Sequence, residues 1–180
     1  MAKICIETER LILRELVPDD AERMFLLDSN PEVMKYLGVK PFTKKALTRK
    51  MIRDIRRQYE VNGIGRWAVV EKLSNLLIGW SGLKILQVEV NGYKNVYELG
   101  YRFLPEFWRK GYAMESAIAS LNYGFENLNL DVIYAYSDTA NDGSNHILRK
   151  LGFTETGKFI DPIDGEECFW FELNREDFKP

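Results

Sequence analysis

The sequence is poor in the residues on which metal sites, disulfides and histidine-based catalysis depend. It contains two cysteines and one histidine in 180 residues. Cys5 and Cys168 lie near opposite ends of the chain in apolar stretches, so we expect buried reduced thiols, as in a reducing compartment. A zinc site or a catalytic triad would have to depend on His146 alone. We therefore expect neither a metal nor triad chemistry.

An excess of one charge and long apolar runs are also lacking. The chain has 25 basic and 27 acidic residues, so no overall field draws it to nucleic acid or to a membrane. The N-terminal residues lead directly into strand-like sequence, without the apolar region of a signal peptide or a membrane helix. The length suits one domain over residues 1–180. We expect a soluble cytoplasmic protein, monomeric or homodimeric, that has no membrane partner.

The spacing of apolar residues predicts an α+β chain. Its first part predicts one strand over residues 4–16 and three helices, the last ending at Asn62-Gly63. Two further helices are predicted over residues 111–128 and 141–151, the second closed by Gly152. Further strands are predicted over residues 67–70, 76–86, 97–104, 132–136, 153–160 and 168–173, the last two joined across Asp164-Gly165.

The most informative stretch joins a strand, a turn and a helix N-terminus. The strand over residues 97–103 is followed by Leu104-Pro105 and then by residues 108–113, which open the next helix. A helix N-terminus presents free N–H groups and the positive end of the helix dipole, which suit a pyrophosphate. Gly111 lets the backbone approach phosphates, and Arg109 and Lys110 add positive charge. A simple glycine turn before a helix would have the same local sequence, so this stretch alone leaves both interpretations open.

In the context of the whole chain, the stretch resembles the GNAT acetyltransferase superfamily, in which a glycine loop Gln/Arg-x-x-Gly-x-Gly/Ala binds the acetyl-CoA pyrophosphate. Trp108 takes the first position of that loop, and Gly111 and Ala113 take the last two. A tryptophan there is typical of the RimJ/RimL-like branch, which acetylates ribosomal-protein and other N-terminal amines. The same branch is similar to this chain at residues 8–14, 79–83, 98–101, 141–144 and 150–153.

The resemblance implies the GNAT acyl-CoA fold, a mixed, mostly antiparallel twisted sheet of six to seven strands, splayed between the fourth and fifth strands and flanked by helices. It implies acetyl-CoA as co-substrate and direct attack by a primary amine in a ternary complex. A bulge in the fourth strand, assigned to Phe103 and Leu104, would let their backbone groups pair with pantetheine. The implied cofactor-binding residues are Phe103, Leu104, Trp108, Arg109, Lys110, Gly111, Tyr112, Ala113, Met114, Asn141 and Ser144.

The sequence departs from the family at the proton donor for the CoA thiolate. Many members have a tyrosine two residues before the lysine of the Lys-x-Gly-Phe element, where this chain has Leu148. Ser144 and Asn141, at the start of the same helix, are the nearest polar candidates for catalysis, and helix capping is their alternative role.

A general base would remove a proton from the attacking ammonium. Glu98 is the first candidate because its strand should hold the thioester and it could act through water; a solvated strand residue or a salt bridge is its alternative role. Asp138 and Asp161 are further candidates. A free α-amine, with a pKa of about 8, needs only a weak base, so a base within the enzyme is not strictly required.

The acceptor is expected near the N-terminal helices, the Trp67 strand and the last hairpin. Tyr36, Trp67 and Trp80 are candidates to line its pocket, although aromatic residues at such spacings also form cores. A basic helix face is either a solvated surface or a contact for ribosomal RNA or an acidic peptide, and no other nucleic-acid partner is expected; its residues are Arg49, Arg53, Arg56 and Arg57. The predicted reaction is acetylation of a protein N-terminal α-amine, ahead of a polyamine or an aminoglycoside. A non-catalytic acyl-CoA-binding module is the alternative.

Overall fold

The computed structural model describes residues 3–162 and 165–179. Within these ranges the strands are β1 (Ile4–Glu7), β2 (Leu11–Arg14), β3 (Trp67–Glu71), β4 (Leu76–Ile85), β5 (Tyr97–Phe103), β6 (Val132–Asp138), β7 (Thr154–Ile160) and β8 (Glu167–Asn174). The α-helices are α1 (Ala21–Asp28), α2 (Pro31–Met34), α3 (Lys45–Asn62), α4 (Tyr112–Asn122) and α5 (Asp142–Lys150). A π-helical segment, Tyr123–Asn127, continues α4.

The strands form one sheet in the order β1-β2-β3-β4-β5-β6-β8-β7. Every neighbouring pair is antiparallel except β5 and β6, which are parallel and share a single registered pair, Glu98 with Tyr134. The predicted mixed, mostly antiparallel sheet is therefore confirmed, and so is its splay, which lies between β5 and β6.

The predicted first strand over residues 4–16 is two strands. The chain turns at Thr8, whose N–H donates to the Leu11 carbonyl (2.9 Å) and whose hydroxyl donates to Glu115 (2.6 Å). Because β1 then folds back onto β2, the sheet has eight strands instead of six to seven. The fourth and fifth strands of the prediction thus correspond to β5 and β6.

The bulge predicted at Phe103 and Leu104 is wrong. Strand β5 pairs with β4 without a break in register from Tyr97 to Phe103, and the Leu104 N–H then donates to the Ile78 carbonyl (2.9 Å). On the other side of β5, the Phe103 carbonyl accepts a hydrogen bond from the Trp108 indole N–H (2.7 Å). This carbonyl is therefore satisfied by a side chain, and β5 separates from β6 without a bulge.

Helices cover both faces of the sheet. The α4 side buries the larger apolar cluster, which includes Leu83, Leu99 and Leu121. Helices α1 and α3 bury a second cluster on the opposite face, which includes Met24 and Ile52. Within the described ranges, no helix has both the length and the apolar character to cross a membrane.

Several helix ends were predicted correctly. Helix α3 ends at Asn62, and the following Gly63 is left-handed (φ +70°). Gly152 after α5 is also left-handed (φ +94°), as its capping role requires. The turn predicted between the last two strands includes Asp164, which lies outside the described residues.

Candidate active site

The loop from Trp108 to Gly111 is exposed and enters α4 through left-handed backbone. The φ angles are +59° at Arg109 and +82° at Gly111, the residue directly before the helix. The first N–H groups of an α-helix have no partner inside the helix, and they lie at the positive end of its dipole. A loop of this shape at a helix N-terminus fits a pyrophosphate.

A set of hydrogen bonds from the start of β2 holds this loop, and we call it the Arg10–Glu115 clasp. The Arg10 guanidinium bonds to the Glu115 carboxylate (2.6 Å) and to the Lys110 carbonyl (2.9 Å), and it lies 4.5 Å from the centre of the Tyr112 ring. The Thr8 hydroxyl donates to the same carboxylate (2.6 Å). Sequence analysis missed both clasp residues because 105 positions separate them.

The predicted loop residues contribute mainly backbone to this site. Trp108 is 43% exposed, and its indole N–H is engaged by the Phe103 carbonyl. The Tyr112 side chain turns into the core, where its hydroxyl donates to the Glu71 carboxylate. Ala113 and Met114 also pack against the core. The structure thus brings these residues to one place, and their role in cofactor binding stays a prediction.

Strands β5 and β6 leave a gap beyond their single registered pair. The hydrogen-bonding direction alternates along an antiparallel pair, and the Leu104 N–H points to β4. The backbone groups of Tyr101 and Phe103 therefore point the other way, into the gap. Since the Leu104 N–H is already paired with β4, the prediction that Leu104 offers this group to a ligand is corrected.

Unpaired polar atoms line the neighbouring end of β6. Ser137 is 7% exposed, and among the described residues its hydroxyl has no hydrogen-bond partner. The same holds for the side-chain oxygen of Asn145, whose amide nitrogen donates to the Asp138 carbonyl (3.0 Å). Buried polar atoms without partners are rare in folded proteins. The gap therefore fits a chain that carries amide groups, such as pantetheine, and the Arg109–Gly111 loop fits its pyrophosphate.

The start of α5 lies across this gap from β5. Asn141 is the capping residue of α5, and its side-chain oxygen accepts the Ser144 N–H (3.2 Å). The Ser144 hydroxyl instead lies 3.3 Å from the hydroxyl of Tyr101 on β5. Leu148 is buried in the core. Capping is therefore the observed role of Asn141, and catalysis by Ser144 or Asn141 stays a prediction.

Glu98 lies in a buried ion-pair cluster on the sheet face opposite α4. The residue is 5% exposed, and its carboxylate lies 2.6 Å from the Arg66 guanidinium and 3.3 Å from the Lys84 ammonium. Burial alone would raise the pKa of Glu98, but the charges of Arg66 and Lys84 outweigh burial and lower it. An ion-paired carboxylate of low pKa is a weak proton acceptor, so these contacts argue against Glu98 as the base. Of the other candidates, Asp138 accepts a backbone N–H (2.7 Å) and Asp161 is buried.

Two guanidinium groups lie close to the indole of Trp80, beside this cluster. Arg66 lies 4.9 Å and Arg102 5.1 Å from its ring centre, and Arg102 also pairs with the fully buried Asp28 (2.8 Å). Gly100 makes room for Arg66, because a Cβ atom there would lie 1.8 Å from a guanidinium nitrogen. The predicted pocket residue Trp80 is thus on the face with Glu98.

The other two predicted pocket residues have different surroundings. Trp67 is 3% exposed and packs edge-on against the Tyr123 ring (5.0 Å), in the core on the α4 side. Its predicted place in an acceptor pocket is therefore wrong, since it belongs to the core on the face opposite Trp80. Tyr36 follows α2 and is half-buried, with the Lys35 ammonium 5.0 Å from its ring centre.

The basic face of α3 is partly used within the protein. Arg56 donates to the Leu16 carbonyl (2.7 Å), and this bond holds α3 against the end of β2. Arg49, Arg53 and Arg57 are exposed. Contact of this face with ribosomal RNA stays a prediction.

Comparison with known proteins agrees with this geometry. Residues 10–154 match the model of the family described as acetyltransferase (GNAT) domain. The uncharacterized N-acetyltransferase YoaA of Bacillus subtilis is 35% identical over 84% of this chain and 84% of its own length. Spermidine N(1)-acetyltransferase of Escherichia coli K12 is 31% identical over 82% of this chain and 75% of its own. A GNAT-family acetyltransferase structure from Bacillus anthracis, 26% identical, superimposes with a TM-score of 0.80 over 98% of this chain and 99% of its own. The chain therefore belongs to the GNAT family and is an acetyl-CoA-dependent N-acetyltransferase.

Proposed function

We propose that this acetyltransferase acts in the cytoplasm on the N-terminal α-amine of a protein, such as a ribosomal protein, as members of the RimJ/RimL-like branch do. The ion-paired state of Glu98 carries this proposal, because the first candidate for the general base is then only a weak base. At pH 7 an α-amine of pKa about 8 is about one-tenth neutral, whereas an amine of pKa about 10.4 is neutral in about 1 of 2,500 molecules. A weak base therefore suits the α-amine.

Each part of the site has a role in this proposal. Bound acetyl-CoA supplies the thioester carbonyl that the amine attacks. The loop from Arg109 to Gly111 binds the pyrophosphate, and the backbone groups of Tyr101 and the N–H of Phe103 bind the pantetheine amides. Ser144 donates a hydrogen bond to the departing sulfur. The ammonium gives one proton to solvent before the C–N bond forms, and the second nitrogen proton passes to sulfur after the C–S bond breaks.

A thiol-release assay tests the acceptor. Peptides with a free N-terminus and no lysine are compared with the same peptides carrying a blocked α-amine, and with spermidine and aminoglycosides. We expect acetyl-CoA-dependent thiol release with the free peptides and none with the blocked ones. Higher kcat/KM for spermidine than for every peptide would overturn the proposal. It would favour the second candidate, a polyamine, which the likeness to a spermidine N(1)-acetyltransferase makes the principal rival.

A further inference from the structure

Tyr101 on β5 contacts the start of α5 across the gap between β5 and β6. Its hydroxyl oxygen is 3.3 Å from both the carbonyl oxygen and the hydroxyl oxygen of Ser144. These distances exceed the usual 2.7–2.8 Å or so for O–H···O bonds, as expected when a single proton serves two acceptors. The Tyr101 ring packs against the core on the α4 side, which fixes the position of the hydroxyl.

The direction of this hydrogen bond decides what the Ser144 hydroxyl can do. When Tyr101 donates to the Ser144 carbonyl, the Ser144 hydroxyl can donate its own hydrogen bond to the tyrosine oxygen. When Tyr101 donates to the Ser144 hydroxyl oxygen, the serine proton is free for another acceptor. Burial raises the pKa of Tyr101, and the contact with Ser144 offsets only part of the rise. Tyr101 therefore keeps its proton at physiological pH and can donate it in a hydrogen bond.

We propose that Tyr101 is a positioning residue that donates its hydrogen bond to the Ser144 hydroxyl and so directs the serine proton to the sulfur of CoA. This inference rests on the proposed role of Ser144 as donor to the sulfur. Tyr101 exchanges no proton with the substrate. The chain of donors from Tyr101 to Ser144 strengthens the second hydrogen bond, because a hydroxyl that accepts a hydrogen bond becomes a better donor.

The test compares the affinity of CoA with that of desulfo-CoA, which lacks the sulfur, by calorimetry without any acceptor. We expect the wild-type protein to prefer CoA. The Tyr101→Phe variant, which loses only the hydroxyl, should reduce this preference by about 2- to 10-fold, the range of one hydrogen bond. Ser144→Ala should abolish it. Tyr101→Phe should then change nothing further in the Ser144→Ala background, because Tyr101 acts through Ser144.

Tyr97→Phe is the matched control, since Tyr97 lies on the same strand and packs against the same core cluster. It should leave the preference unchanged. An equal loss of affinity for both ligands in Tyr101→Phe, or a reduction that persists in the Ser144→Ala background, would overturn the inference. The measurement needs no acceptor, so the proposed peptide substrate can fail while this result stands. In turnover, Tyr101→Phe should lower kcat with little change in the KM for acetyl-CoA.

Discussion

Replacement of Glu98 by glutamine separates two roles for this residue, the general base and the ion-pair partner. Glutamine keeps the size of the side chain and removes its charge. Arg66, which is 7% exposed, then loses its ionised partner at 2.6 Å, and Lys84 loses its partner at 3.3 Å. Removing one member of a buried ion pair costs about 3–5 kcal/mol. The remaining amide oxygen still accepts a hydrogen bond, so we expect a value of about 3 kcal/mol.

The expected result is a loss of stability with the pH profile of the reaction preserved. Each kcal/mol lowers Tm by about 2–4 °C in a chain of this size, which predicts a decrease of about 6–12 °C for Glu98→Gln. Thermal and urea unfolding, followed by circular dichroism, measure it. Glu155→Gln is the control, because the Glu155–Arg149 pair is exposed and contributes at most about 1 kcal/mol.

Kinetics at several pH values provide the second half of this test. Loss of a general base would lower kcat by about 10²- to 10⁴-fold and remove the acidic limb of the pH–rate profile. Because Glu98 is ion-paired, we expect the variant to keep the acidic limb when its kinetics are measured below its unfolding temperature. An unchanged Tm together with loss of the acidic limb would refute the structural reasoning and restore Glu98 as the base.

Three further predictions concern the glycines and the acid stability of the protein. Gly100→Ala should lower the free energy of unfolding by about 3 kcal/mol in urea titrations, because the new Cβ displaces Arg66 from its ion pair. Gly157→Ala is the control: its Cβ meets no atom within 4 Å, so its free energy of unfolding should stay within about 0.5 kcal/mol of the wild-type value. Gly111→Val should weaken CoA binding about 5- to 30-fold in calorimetry, because a side chain at φ +82° costs about 1–2 kcal/mol in backbone strain when the loop keeps the shape that binds phosphate. Unchanged affinity would contradict the phosphate-loop assignment. Burial would raise the pKa of Glu115, but its hydrogen bonds lower it below 4.5, so its contribution to stability is complete above about pH 4.5 and is lost as the pH falls through the folded-state pKa. Acid unfolding of Glu115→Gln should therefore depend less on pH than that of the wild type, and equal slopes would exclude this contribution.

Local sequence patterns predicted the parts of the fold whose cause is local. The end of α3 at Gly63 and the end of α5 at Gly152 follow from glycine at positions where φ is positive. The capping position of Asn141 follows in the same way, because its oxygen bonds to a residue in the first turn of its own helix.

The parts that sequence analysis missed depend on residues far apart in the chain. Arg66 and Glu98 are 32 positions apart, and Tyr101 and Ser144 are 43 apart. Such pairs come into contact only after β4, β5 and α5 have packed, and no periodicity or capping rule predicts these contacts. Trp67 was misplaced for a related reason, since the face of β3 to which it points depends on strand register.

The single registered pair between β5 and β6 divides the sheet into two half-sheets, β1 to β5 and β6 to β8. Within each half, neighbouring strands share several registered pairs, whereas across the division a single registered backbone pair is supplemented by side-chain contacts such as Tyr101–Ser144 and Tyr93–Glu172. We therefore expect the amide protons of Tyr101 and Phe103 to exchange with solvent deuterium faster than those of Gly100 and Arg102, which point to β4. A ligand whose amides occupy the gap acts as a substitute strand, so it couples the unfolding of one half-sheet to that of the other.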